Sequence, residues 1–115
     1  MGDDVVRLGL TATIRDDPSA ILEYVVAHQT PWPEVLADAA KAGVRITCIF
    51  RDGRRLFMYL EADRQFALDA YAGLLSSPRT LEWQERMNGL LEDQPGAVTG
   101  LKWRALESVI TTSRD

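Results

Sequence analysis

Apolar and polar residues alternate over residues 5–14 (VVRLGLTATI). Val6, Leu8, Leu10, Ala12 and Ile14 fall on one side, and Arg7, Gly9, Thr11 and Thr13 on the other. A period of two is that of a strand with one apolar face. Asp16-Asp17-Pro18 then supplies an N-cap and a proline at a first helical position. The spacing predicts a helix to about His28, with Ile21, Tyr24, Val25 and His28 on one stripe. Thr30-Pro31-Trp32-Pro33-Glu34 breaks it, because neither proline can donate a backbone hydrogen bond. A second helical segment runs from Glu34 to Lys41 and ends near Gly43.

Residues 44–51 (VRITCIFR) and 55–61 (RLFMYLE) read as two strands joined by a tight turn at Asp52-Gly53. Asp63 to Leu75 is expected to be helical. Ser77-Pro78 opens another helix reaching about Leu91, with Leu81, Met87 and Leu91 among its apolar positions. A turn-rich stretch, Glu92 to Gly100, leads into an expected last strand over 101–110 (LKWRALESVI). The order is β-α-β-β-α-β with each helical region split in two. That is the α+β, ferredoxin-like pattern: an antiparallel sheet with helices on one face and the other face open to a partner, ligand or water. Dimerisation through the open face is one outcome for so small a core.

The chain has 115 residues, the size of a single domain spanning 1–115. Thirteen Lys+Arg against seventeen Asp+Glu give a net charge of -4, with no basic stripe for nucleic acid and no polybasic membrane anchor. The longest apolar run is far short of the roughly 20 residues that span a bilayer. The acidic start, Met1-Gly2-Asp3-Asp4, is unlike a secretory signal. One cysteine, Cys48, excludes an intramolecular disulfide or a Cys cluster, and one histidine, His28, excludes a multi-His metal site. A cytoplasmic protein without metal or cofactor is the expectation.

Candidate chemistry gathers in one stretch. Tyr24 and His28, four residues apart, share one side of a helical turn and could form an acid–base pair. The same spacing suits a core aromatic and a histidine favoured by the helix C-terminus, and spacing alone leaves both readings open. Trp32, fixed between two prolines, suits stacking on a flat apolar face such as a sugar ring, or plugging the core where the helix breaks. Glu34 is a candidate base or hydroxyl acceptor, or simply an acid favouring a helix N-terminus. Cys48 shares a strand face with Ile46 and Phe50 and reads as a buried structural thiol. Arg51, Asp52, Arg54 and Arg55 read as a solvated hairpin tip.

At these residues the chain resembles the L-rhamnose mutarotase family, which includes L-fucose mutarotases. The resemblance rests on Glu23-Tyr24, His28 and Pro31-Trp32-Pro33-Glu34, at the spacing of that family's EYxxxHxxxWPE signature. It continues through Ile49-Phe50, Leu56-Phe57 to Glu61, Ser77-Pro78 to Trp83, and Leu106-Glu107. It implies a ferredoxin-like protomer assembling as a homodimeric α/β barrel. The implied activity is cofactor-free interconversion of the α and β anomers of a monosaccharide, a 6-deoxy-L-sugar such as L-rhamnose or L-fucose. By the same resemblance His28 carries proton transfer and Tyr24 donates to or orients the sugar, while Trp32, Trp83 and Glu34 belong to the pocket or its supporting turn. Thr47 stands where the family carries a tyrosine, and Gln84, after Trp83, where it carries a second tryptophan. Both changes imply a roomier pocket. A re-specialised small-molecule isomerase or cyclase on the same scaffold, or a non-catalytic relative, is the alternative that these two positions raise.

Overall fold

The computed structural model describes residues 5–112 and Arg114; the acidic Met1-Gly2-Asp3-Asp4 start lies outside them. Eight elements follow in order: β1 (Val5–Thr13), α1 (Pro18–Gln29), α2 (Pro33–Lys41), β2 (Val44–Asp52), β3 (Arg55–Asp63), α3 (Leu68–Leu74), α4 (Pro78–Asn88) and β4 (Arg104–Ala105). The strands form one sheet in the order β2-β3-β1-β4, every pair antiparallel. This is the ferredoxin-like α+β arrangement expected from the pattern of periods.

Register explains the sheet's two unlike faces. Leu8, Leu10 and Ala12 of β1 lie opposite Leu60, Met58 and Leu56 of β3. These side chains face the helices, and Leu10, Ala12, Leu56 and Leu60 are each no more than 2% exposed. Ala20 and Tyr24 of α1 and Trp83 and Met87 of α4 close over them. On the other face, Ile46, Cys48 and Phe50 of β2 stand opposite Glu61, Tyr59 and Phe57 of β3. No described helix covers that side: Phe50 is 63% exposed, and Cys48 is half-buried rather than sealed in a core.

The helix boundaries follow local chemistry. The Asp17 carboxylate accepts from the Ser19 N–H at 3.0 Å, capping α1, and Pro18 occupies the first turn. Thr30 and Trp32 each precede a proline and leave the helical region (φ -137°, ψ 77° and φ -71°, ψ 135°), which separates α1 from α2. Ser77 caps α4 by accepting from the Thr80 N–H, while its own N–H donates to the Asp38 carboxylate of α2 at 3.2 Å. No described helix is long and apolar enough to cross a membrane.

Five local expectations are corrected. The hairpin turn is centred on Gly53-Arg54, one residue later than the composition suggested, because Asp52 still pairs with Arg55. Gly53 alone has positive φ (62°), as at the first central residue of a type II′ turn. At that tip Arg54 is not merely solvated: its guanidinium donates to the Ile14 carbonyl at 3.1 Å and to Glu92 at 2.9 Å, fastening the hairpin to the body.

The helix expected from Asp63 begins only at Leu68. Asp63 is instead the last residue of β3, its N–H donating to the Gly43 carbonyl at 2.7 Å and its carboxylate accepting from Arg45. Leu81 of α4 is 53% exposed; Thr80, Trp83 and Met87 supply the buried face. The last strand is two residues long rather than ten. Ahead of Arg104 the edge of β1 is already occupied: Arg15 N–H bonds the Leu90 carbonyl, Glu92 N–H bonds the Thr13 carbonyl, and the Gln94 side chain donates to the Thr11 carbonyl. Only Arg104 and Ala105 pair, extended by one bond from Leu106 N–H to Gly9.

Leu60→Ala should lower the free energy of unfolding by about 2–5 kcal/mol, since it empties a site sealed on all sides. Leu22→Ala, at a 64% exposed helix position, should stay within about 0.5 kcal/mol in the same chemical-denaturation measurement. Equal losses would mean the sheet's covered face has been assigned wrongly.

Candidate active site

Between the covered sheet face and the helices lies a cavity of about 360 Å³, within the range of small-molecule sites (about 300–1,000 Å³). Tyr24 and His28 enter it from α1, Trp83 and Met87 from α4, and Thr47, Ile49 and Met58 from the sheet. Pro31 and Val35, Leu36 and Ala39 of α2 add an apolar wall, and Tyr71 of α3 and Trp103, just before β4, complete the lining. Five rings that carry a polar atom therefore meet a largely aliphatic surround.

His28 sits in the last turn of α1, where the i to i−4 geometry brings its ring under a carbonyl of its own helix. Nδ1 lies 2.8 Å from the Tyr24 carbonyl oxygen. A carbonyl can only accept, so Nδ1 carries the hydrogen and Nε2 is left as the basic nitrogen. The ring stacks on Tyr24 with centroids 4.2 Å apart and an interplanar angle of 28°. It meets Trp83 edge-on at 5.2 Å. Burial holds the His28 pKa below its ordinary 6.5, opposed in part by the bond to the Tyr24 backbone. A neutral imidazole with a fixed tautomer results. Burial also pushes the Tyr24 hydroxyl far above its ordinary 10, so it remains a phenol that donates.

The other sequence candidates divide. Thr47 and Trp83 line the cavity with Tyr24 and His28. Trp32 stands behind it, edge-on to Trp83 at 5.2 Å, with the Arg79 guanidinium 3.7 Å from its ring centre. Trp32 thus buttresses the Trp83 ring, helped by a cation–π contact. Gln84 is half-buried beside Trp83 and outside the lining, and Glu34 is exposed in the first turn of α2. Two lining aromatics, Tyr71 and Trp103, escaped the sequence reading. A signal existed for Tyr71, which stands three residues after Leu68 and four before Leu75 and so shares their stripe. Trp103 lies in a stretch that mimics an ordinary strand, and nothing in its neighbours marks it. Among the described residues no cluster of three or more His, Cys, Asp or Glu could hold a metal ion.

A ferredoxin-like fold whose helix-covered cavity holds a neutral histidine, phenols and indoles defines a small-molecule binding protein equipped for proton transfer. The sequence model of L-rhamnose mutarotase matches residues 7–111. An L-fucose mutarotase from Xanthomonas campestris pv. campestris is 31% identical over 110 residues, covering 93% of this chain and 88% of that protein. The chain belongs to the L-rhamnose mutarotase family. Solved structures agree at the level of fold. The L-rhamnose mutarotase of Formosa agariphila matches with a TM-score of 0.69 and 18% identity over 94% of this chain and 99% of that one. The tetracenomycin F2 cyclase of Streptomyces glaucescens, a type-II polyketide cyclase, matches with a TM-score of 0.61 and 18% identity, over 96% and 99%.

As the single histidine, His28 can be followed by its ring C–H resonances in NMR. Its midpoint should lie below 6.5. The folded protein then binds fewer protons than the unfolded chain, so this contribution to stability is complete above pH 6.5 and lost as pH falls through the folded midpoint. A midpoint above 6.5 would contradict the buried environment.

Proposed function

We propose that the protein is a single-domain, cofactor-independent mutarotase that interconverts the α and β anomers of a 6-deoxy-L-sugar, with His28 as the proton-transfer group. The family's activity is anomer exchange, and this chain spans nearly the whole family model. The observation that carries the residue assignment is the hydrogen bond from His28 Nδ1–H to the Tyr24 carbonyl, which leaves a basic Nε2 on a ring lining the cavity. In this reading Nε2 takes the proton from the anomeric hydroxyl as the bond between C1 and the ring oxygen breaks. The Tyr24 phenol passes its proton to the ring oxygen, where negative charge develops, and takes it back when that oxygen re-adds to C1. Rotation about C1–C2 in the open-chain aldehyde presents the other carbonyl face. The ring oxygen then re-adds, and His28 returns its proton to O1. Protons balance over the cycle and no electron transfer occurs.

The pocket wall supports a sugar with a methyl group in place of a hydroxymethyl. Val35, Leu36, Ala39, Ile49, Met58 and Met87 offer aliphatic contact, and an apolar wall favours the methyl by leaving no hydroxyl unpaired. Trp83, backed by Trp32, offers a flat face to the ring's C–H surface. Thr47 contributes a small hydroxyl from the sheet, and Gln84 and Glu34 act from outside the lining. A cytoplasmic setting fits the free thiol of Cys48.

The homodimer belongs to the same proposal. The uncovered sheet face presents Ile46, Phe50, Phe57 and Leu106 at 38–63% exposure. A second copy laid on this face would remove that apolar area from water.

Exchange NMR on L-rhamnose and L-fucose with catalytic amounts of protein tests the activity. Anomer exchange should accelerate for at least one of them, and His28→Asn should reduce the acceleration by about 10²–10⁴-fold. The rate should hold above pH 6.5 and decline below it, as Nε2 protonates. Wild-type rates in His28→Asn would remove His28 from the mechanism. Light scattering should find two copies per particle, and Phe50→Glu should shift the population to one. A monomeric wild type would refute the dimer alone.

A further inference from the structure

Of the four tyrosines and tryptophans that line the cavity, the mechanism uses two, Tyr24 and Trp83. The other two are Tyr71 and Trp103, brought from α3 and from the segment ahead of β4. Neither the Tyr71 hydroxyl nor the Trp103 indole N–H hydrogen-bonds another described residue. Buried tyrosines and tryptophans ordinarily find such a partner. Trp103 is 7% exposed, and Tyr71 is packed edge-on against Phe66 at 5.1 Å. Among the described residues no fully enclosed side-chain polar atom lacks a partner, so these two tips keep some accessible surface, on residues that line the cavity.

Their chemistry differs usefully. A phenol both donates and accepts, whereas an indole only donates. Burial pushes the Tyr71 hydroxyl up to about 12, which keeps it neutral across the physiological range. Neutral groups of this kind suit a ligand bearing several neutral hydroxyls, and there is no cation among the lining residues to call for an anion. The ring is also held: Phe66 fixes one side of Tyr71, and the Trp103 backbone is tied by its carbonyl accepting from Val98 N–H at 2.8 Å. Groups immobilised before binding lose little freedom when a ligand arrives.

Resting on the mutarotase reading, we propose that Tyr71 and Trp103 bind hydroxyls of the sugar ring away from the anomeric carbon and set which sugar the cavity accepts. The pair acts on recognition, and His28 with Tyr24 acts on the proton. Thr47 bears on the same selection from the sheet, where a short side chain leaves room beside the two larger rings.

The test compares wild type, Tyr71→Phe and Trp103→Phe on the sugar that exchanges fastest and on its singly deoxygenated analogues, with anomer exchange followed by NMR. Tyr71→Phe removes one oxygen that supports no other described residue, so its unfolding midpoint should match wild type. It should raise KM about threefold to tenfold while kcat changes little. That penalty should vanish for one analogue, the one lacking the hydroxyl that Tyr71 holds. Trp103→Phe should show the same behaviour for a different analogue. A KM effect of equal size on every analogue would indicate a packing role and overturn the proposal. So would unchanged KM in both variants, with the mutarotase reading intact. Absence of exchange and of saturation-transfer binding for every sugar with folded wild type would overturn that reading and this proposal together.

Discussion

The burial of one face of the sheet under α1 and α4 is the constraint on which the rest of the molecule depends. Leu10, Ala12, Leu56 and Leu60 can leave water only if the helices lie across β1 and β3. The two-residue period of the strands then commits Ile46, Phe50 and Phe57 to the opposite face. The same packing lifts Tyr24 and Trp83 out of solvent and places them against one another through His28. The cavity is the space that remains where α2 and α3, shorter and less buried, do not close on the sheet.

Within that frame the proposed proton-transfer group, His28, is prepared by backbone geometry rather than by a charged neighbour. Nothing acidic lines the cavity, so neither an ion pair nor a carboxylate sets the state of His28. Its tautomer comes from a carbonyl four residues back in its own helix, and its neutrality from burial. An imidazole so placed is ready to accept a proton near neutral pH without prior rearrangement, the form general base catalysis favours. The surrounding indoles and phenols stay uncharged and provide donors and flat faces, a combination matched to a neutral polyhydroxylated ring.

The Trp32–Trp83 pair shows how a ring can serve a site it does not line. Two prolines keep Thr30 and Trp32 out of the helical conformation, and the Trp32 ring meets Trp83 of α4. Arg79 covers its face, and Asp38 joins α2 to the start of α4 through the Ser77 N–H. The Trp83 ring is thereby held from both sides, by His28 and by Trp32. Similarity in fold to a polyketide cyclase sits comfortably with this arrangement, because a scaffold that encloses a cavity between helices and sheet can be lined for different ligands.

Much of this was legible in the chain itself. Alternation over residues 5–14, the Asp17-Pro18 and Ser77-Pro78 helix starts and the proline pair around Trp32 are local signals, and each produced its element. The Tyr24–His28 spacing placed both rings on one helical turn, since helix geometry depends on neighbours along the chain alone. The late start of β4 depended on something else: the Leu90–Gln94 segment holds the edge of β1 over Thr11–Arg15, a competition between segments far apart in sequence. The choice between core histidine and base at His28 was likewise tertiary, because it turns on a cavity assembled from six elements and the segment before β4. Tyr71 and Trp103 joined that cavity only through packing, which no local period encodes.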